Sequence, residues 1–139
     1  MKFSRVITST ITQRDLGIIK TRTGLTPNIL LRFAFCMSLK DPSIPNPDEF
    51  NQEGSVLTPN VIFGEYEPIY LALMLNRLKH DKLDPEIYLH KMTRAHLNRG
   101  TKALFPRIYD LSDFYELVKE EQNVWDKISN LPWLSCYHA

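Results

Sequence analysis

The run Gly24-Leu25-Thr26-Pro27 limits the folds open to this chain more than any other feature. Glycine ends a helix readily because it adopts the left-handed conformation without steric cost. Proline suits the first position of a new helix, where its missing N–H leaves nothing unsatisfied. One helix is therefore predicted over residues 11–23, with Ser9 or Thr10 as N-cap, and another over residues 27–39, with Thr26 supplying the cap oxygen. The second carries Ile29, Leu30, Leu31, Phe33, Ala34, Phe35, Met37 and Leu39. Apolar almost all round, it belongs in a core or a subunit interface. Two helices joined this tightly make a helix-turn-helix or ribbon-helix-helix unit. The alternating segment 2–8 ahead of them, with β-branched Val6 and Ile7, suits a short strand or extended arm.

Residues 41–64 break the helical pattern with Pro42, Pro45, Pro47, Pro59 and Gly54, and are expected to form a long loop. Connections of that length are uncommon inside compact domains and are often functional. A third helix is predicted over 65–80, and a fourth from the cap Asp84-Pro85 to Asn98, ahead of Gly100. A short helix is then expected over 101–109. The last, over 112–129, repeats Leu111, Phe114, Tyr115, Val118, Trp125 and Ile128 at helical spacing, with Asp113, Glu116, Glu120 and Asp126 facing outward. With 139 residues and 43% hydrophobic side chains, this is one mainly α domain that needs no metal or disulfide. Cys36, inside the apolar stretch 33–37, reads as a buried inert thiol. The apolar run 68–75 is far short of the ~20 residues that span a bilayer. The N-terminus lacks the apolar stretch of a signal peptide, so a cytoplasmic protein is expected.

Charge is segregated along the chain. Residues 1–40 carry seven Lys/Arg against Asp15 alone, and residues 41–70 carry six acids and no base. Residues 71–109 carry eight Lys/Arg against three acids, and residues 110–139 six acids against Lys119 and Lys127. Such blocks either build one basic and one acidic face or fold against each other as ion pairs.

Motifs for catalysis are missing. There is no glycine-rich phosphate loop, no Gly-x-Ser-x-Gly elbow and no Cys-x-x-Cys, and no two of the four histidines have metal-ligand spacing. No catalytic residue, metal or cofactor is assigned. Two features bear on binding instead. Gly17 and Gly24 lie seven apart on one helix face, and a glycine inside a helix costs ~1 kcal/mol relative to alanine, so a close approach by another surface is one reading and a neutral exposed glycine the other. The string from Arg94 to Lys102 (Arg-Ala-His-Leu-Asn-Arg-Gly-Thr-Lys) reads as a polar helix end whose donors suit phosphate oxygens, or equally the carbonyls of their own helix.

Arg22-Thr-Gly-Leu-Thr-Pro-Asn28-Ile-Leu, then Arg32 and Ser38-Leu39, Gly64-Glu65, and His96-Leu-Asn-Arg-Gly100 with Leu104-Phe105, resemble the DndE family of bacterial DNA phosphorothioation, in which sulfur replaces a non-bridging phosphate oxygen. The resemblance implies a helical domain over residues 1–110 with a core related to the ribbon-helix-helix (Met repressor-like) proteins. Residues 111–139, an acidic amphipathic helix and tail packed on that domain, inherit nothing from it. It also implies a non-catalytic homotetramer that binds duplex DNA, favouring nicked DNA, through basic residues. The sulfur chemistry then belongs to partners: a cysteine desulfurase, an iron–sulfur protein of the ATP-pyrophosphatase type and an ATPase. The expected DNA contacts are Arg14, Lys20, Arg22 and Arg32, with Arg5, Arg99 and Lys102 in second rank, and Gly17 and Gly24 serve the oligomer interface. Arg32 interrupts an apolar helix and has a second reading as the partner of Glu65 or Glu67. Two alternatives stand beside this function. One is a protein–protein scaffold that docks through the acidic segments, and the other a metal-dependent nickase using loop acids such as Asp48, Glu49 and Glu53.

Overall fold

The structure, a computed structural model, describes residues 1–120, and the element order follows from local caps. Strand β1 (Val6–Ile7) leads into helix α1 (Thr10–Thr23), whose N-cap Ser9 accepts a hydrogen bond from the Thr12 N–H. Gly24 closes α1 at φ +78°, a left-handed conformation that explains the glycine, and its N–H bonds the Lys20 carbonyl. Helix α2 (Pro27–Lys40) starts at Pro27 as expected. Its cap differs in detail, because the Thr26 hydroxyl bonds the Asn28 side chain and not a backbone N–H.

The segment expected to be one long loop is more structured than its prolines suggest. A 3-10 turn (Pro47–Glu49), strand β2 (Val56–Leu57) and helix α3 (Pro59–Phe63) lie within it. Pro47 and Pro59 each occupy the first position of a turn or helix, where they start structure and do not break it. β2 pairs antiparallel with β1, Val6 opposite Leu57 and Ile7 opposite Val56, so the N-terminal strand finds its partner inside the same chain. A 3-10 turn (Gly64–Tyr66) leads to α4 (Glu67–His80), and Asp84 caps α5 (Pro85–Leu104) through the Glu86 N–H.

α5 corrects a second expectation, since it runs straight through Gly100 to Leu104. A Cβ at Gly100 would lie 1.8 Å from the Ala34 carbonyl oxygen. The glycine is therefore there to let the backbones of α2 and α5 touch, not to stop the helix. The expected short helix over 101–109 is the end of α5 plus a 3-10 turn (Phe105–Arg107). α6 (Leu111–Glu120) closes the described chain, and the predicted remainder of that helix lies outside the described residues.

The core forms around the α2–α5 pair: Leu30, Leu31, Phe35 and Leu39 from one, Leu97 and Leu104 from the other, all buried. α2 is thus a core helix of its own domain, which decides between the two readings of its all-round apolarity. Phe63 links the layers, stacking on Phe3 at 4.6 Å and Tyr70 at 4.8 Å, with Phe35 edge-on at 5.6 Å. α6 adds Phe114, which meets Phe33 at 5.1 Å, and the buried Leu117. Among the described residues no helix is long and apolar enough to cross a membrane.

Candidate nucleic-acid interface

A surface that holds a polyanion needs cations that the protein has not already neutralised. α1 supplies three exposed ones. Lys20 and Arg22 extend from its last turn, and Lys20 has no acid partner among the described residues. The Arg22 guanidinium lies 4.6 Å from the Tyr109 ring centroid and 5.8 Å from that of Phe105. Stacking fixes its position without cancelling its charge. Arg14 is 62% exposed but turns onto its neighbour Asp15 at 2.9 Å. Gly17, between Arg14 and Lys20, is exposed with no described residue above it, and so is Gly24. Arg5, just ahead of β1, is exposed and unpaired among the described residues.

The other three expected contacts are engaged by the fold. Arg32 is half-buried and its Nε donates to the Ile62 carbonyl at 2.6 Å, with the Tyr66 ring 6.0 Å away. Its partner is a carbonyl, where the sequence suggested phosphate or Glu65 or Glu67. Arg99 donates from Nε to the Ser38 hydroxyl at 2.8 Å, from Nη2 to the Ser38 carbonyl at 2.7 Å and from Nη1 to the Ser43 carbonyl at 2.8 Å. Lys102 pairs with Glu49 at 3.0 Å. The seven residues therefore do not form a single patch; the uncommitted ones lie on α1 and before β1.

The 94–102 string corrects a third expectation, for it is the largely buried C-terminal half of α5 and not an exposed polar end. His96 is fully buried, its Nδ1 2.7 Å from the Ser38 hydroxyl and its Nε2 without a partner among the described residues. Burial lowers its pKa to about 2, helped by Arg77 and Arg99 and opposed by Asp41. The Asn98 side-chain oxygen accepts from the Thr12 hydroxyl at 2.6 Å and the Ser9 N–H at 3.1 Å, tying the start of α1 to α5. These polar groups hold elements together, so their donors are turned inward.

Arg77, which the sequence did not single out, and Arg94, which opens the polar string, belong to the same framework. Arg77 is completely buried, donating to the Leu39 carbonyl at 3.0 Å and the Ser43 carbonyl at 2.6 Å, and pairing with Asp81 at 2.9 Å. No sequence signal separates it from its polar neighbours Asn76, Lys79 and His80 in the last turn of α4. Arg94 donates from Nε to the Ile7 carbonyl at 2.7 Å and from Nη2 to the Phe50 and Asn51 carbonyls. Together Arg77, Arg94 and Arg99 pin the acidic segment onto α4 and α5. Cys36 is half-buried, and the pKa of Tyr70 beside it is pushed up to about 12, mainly by burial. Of the loop acids, Asp48 and Glu49 sit on the first 3-10 turn, and no group of three or more His, Cys, Asp or Glu among the described residues is arranged to hold a metal.

Residues 5–109 match the model of a family described as DNA sulphur modification protein DndE. Among solved structures, the chain is similar to DndE from Escherichia coli B7A, involved in DNA phosphorothioation modification. The identity is 28%, the TM-score 0.59, and the match covers 75% of this chain and 98% of that one. It is also similar to a DndE variant with glycine-to-lysine substitutions, at 26% identity and TM-score 0.58, covering 75% and 99% of the two chains. No curated protein matches the sequence.

Proposed function

The chain belongs to the DndE family of DNA sulphur modification proteins, whose pathway is DNA phosphorothioation, and from that membership we propose that it is a DNA-holding subunit with no catalytic role of its own. It grips the phosphate backbone of duplex DNA, with preference for nicked DNA, and leaves the sulfur chemistry to its partners: the desulfurase, the iron–sulfur protein and the ATPase. It acts as a homotetramer in the bacterial cytoplasm.

The observation that carries this reading is the set of cations on α1. Lys20 and Arg22 are exposed, close in sequence and unneutralised among the described residues, while the basic residues of α5 are largely turned to internal carbonyls and acids. Contacts of this kind go to phosphate oxygens and read no base sequence. Gly17 supports assembly: an exposed mid-helix glycine with no described residue above it offers a second copy a smooth surface for close helix approach.

The test is binding of the full chain to intact, nicked and single-stranded DNA of one sequence over a range of salt, with the assembly mass measured in parallel. Nick-preferring, salt-sensitive binding by a tetramer is the expected result. Absence of binding at low salt would remove the DNA-holding role and leave docking through the acidic segments as the function to pursue.

A further inference from the structure

We propose that a cavity over the first half of α5 is a binding site for one phosphate group. The cavity measures about 140 Å³ and is lined by Pro47, Asp48, Gln52, His90, Lys91 and Arg94. It forms where the first 3-10 turn crosses α5, on a different part of the chain from the α1 cations, and the inference does not depend on their binding DNA.

Arg94 is the reason to expect an anion there. It is only 4% exposed, and its guanidinium is fixed by the Ile7, Phe50 and Asn51 carbonyls. Those bonds use Nε and Nη2. Nη1, with two N–H donors, has no partner among the described residues. Nη1 keeps contact with solvent, so its donors are open to an incoming oxyanion, which replaces water there with charge-assisted hydrogen bonds. Lys91, three positions earlier on the helix, brings an exposed ammonium that has no partner among the described residues. His90 Nδ1 lies 2.7 Å from the Ser4 hydroxyl. Burial, and then Arg94, lower the His90 pKa, which favours the neutral ring. In the tautomer that accepts from Ser4 at Nδ1, the Nε2–H of the ring is a further donor.

Asp48 makes the site selective. Its carboxylate can only accept, so it opposes a fully deprotonated anion but suits an oxyanion that retains one O–H. Hydrogenphosphate carries that group at neutral pH, whereas sulfate does not, and a phosphate monoester, with a second pKa of about 6, gains it by taking up one proton as it binds. Two cations against one carboxylate keep the balance in favour of a negative ligand. Free inorganic phosphate and the terminal phosphate of a DNA strand share this chemistry.

Calorimetric titration of inorganic phosphate and of sulfate into the full chain at neutral pH tests the site. Lys91→Gln and Asp48→Asn serve as variants, since neither residue supports the core. Phosphate is expected to bind about tenfold more tightly than sulfate, the equivalent of one hydrogen bond to a charged group. Lys91→Gln should weaken phosphate binding about fivefold or more, and Asp48→Asn should abolish the preference over sulfate. A second arm compares nicked duplexes with a 5′-phosphate and a 5′-hydroxyl at the nick. Tighter binding of the phosphorylated nick, lost in Lys91→Gln, assigns the site to a strand end. Equal binding of the two, with phosphate binding intact, assigns it to free phosphate. No saturable phosphate binding up to about 10 mM, or binding indifferent to both substitutions, overturns the proposal. Neither result touches DNA binding that depends on Lys20 or Arg22.

Discussion

His96 sits inside the protein with one ring nitrogen bonded to Ser38 and the other without a partner among the described residues. Its folded pKa, about 2, lies far below the ordinary 6.5. The unfolded chain therefore takes up a proton near pH 6.5 that the folded chain refuses until the solution is strongly acidic. Stability contributed by the neutral ring is complete above about pH 6.5 and declines below it, by about 1.4 kcal/mol per pH unit. His90 is also lowered and adds to the decline, so the comparison belongs in a His90→Gln background. There, urea midpoints from about pH 7 to about pH 5 should fall for the parent and stay nearly level for His96→Gln. Equal slopes would show that the imidazole is protonated without cost and that burial is not controlling it. The sequence placed this histidine in a polar string of potential phosphate donors. That reading failed because the types of His96, Asn98 and Arg99 fit internal carbonyls and hydroxyls as well as they fit phosphate, and only the position of α5 between α2 and the loop decides which they meet.

At the scale of elements, what was legible depended on whether the cause was local. Ser9, Gly24, Pro27 and Asp84-Pro85 act within one helical turn, and the starts of α1, α2 and α5 fell where those residues put them. Gly100 did not end α5, because its cause is the Ala34 backbone, far away in the sequence. The acidic segment is the same case: its prolines look like breakers until the arginines that hold it are in place. Arg77 is the most buried of these and carries both the Leu39 and Ser43 carbonyls. Arg77→Met keeps the side chain's length and removes the donors, taking the partner from the Leu39 carbonyl and from Asp81 and leaving the Ser43 carbonyl to Arg99 alone. We expect a loss of about 3–5 kcal/mol in unfolding free energy, together with faster amide exchange in residues 41–58. A loss below about 1 kcal/mol, with exchange unchanged, would mean that the segment is held by its own turns and by β1–β2 pairing.

For the whole molecule, a net charge of +1 conceals how the charged blocks divide. The second basic block folds against the acidic one, through Arg99 and Asp41 at 3.7 Å and Lys102 and Glu49 at 3.0 Å. Of the first block, Lys20 and Arg22 face outward on α1 and Arg5 ahead of β1, while Arg14 pairs with Asp15 and Arg32 is turned inside. Neither of the two outcomes foreseen from charge alone holds for the entire chain; each describes one half of it. α6 lies beyond the family match; its Glu120 pairs with Arg107 and its Asp113 accepts from the N–H of Tyr109, whose ring lies under Arg22. This division makes DNA binding sensitive to some basic residues and indifferent to others of equal charge. Each phosphate neutralised contributes about −0.9 to the slope of log K against log salt. Lys20→Gln should reduce that slope by about 0.9 for every protomer that touches the duplex, weaken all sequences alike and leave the urea midpoint unchanged, because Lys20 supports nothing in the fold. Lys102→Gln should leave the slope nearly where it was, since the charge it removes is already opposed by Glu49. A Lys102 effect as large as that of Lys20 would place the DNA across α5 instead of α1.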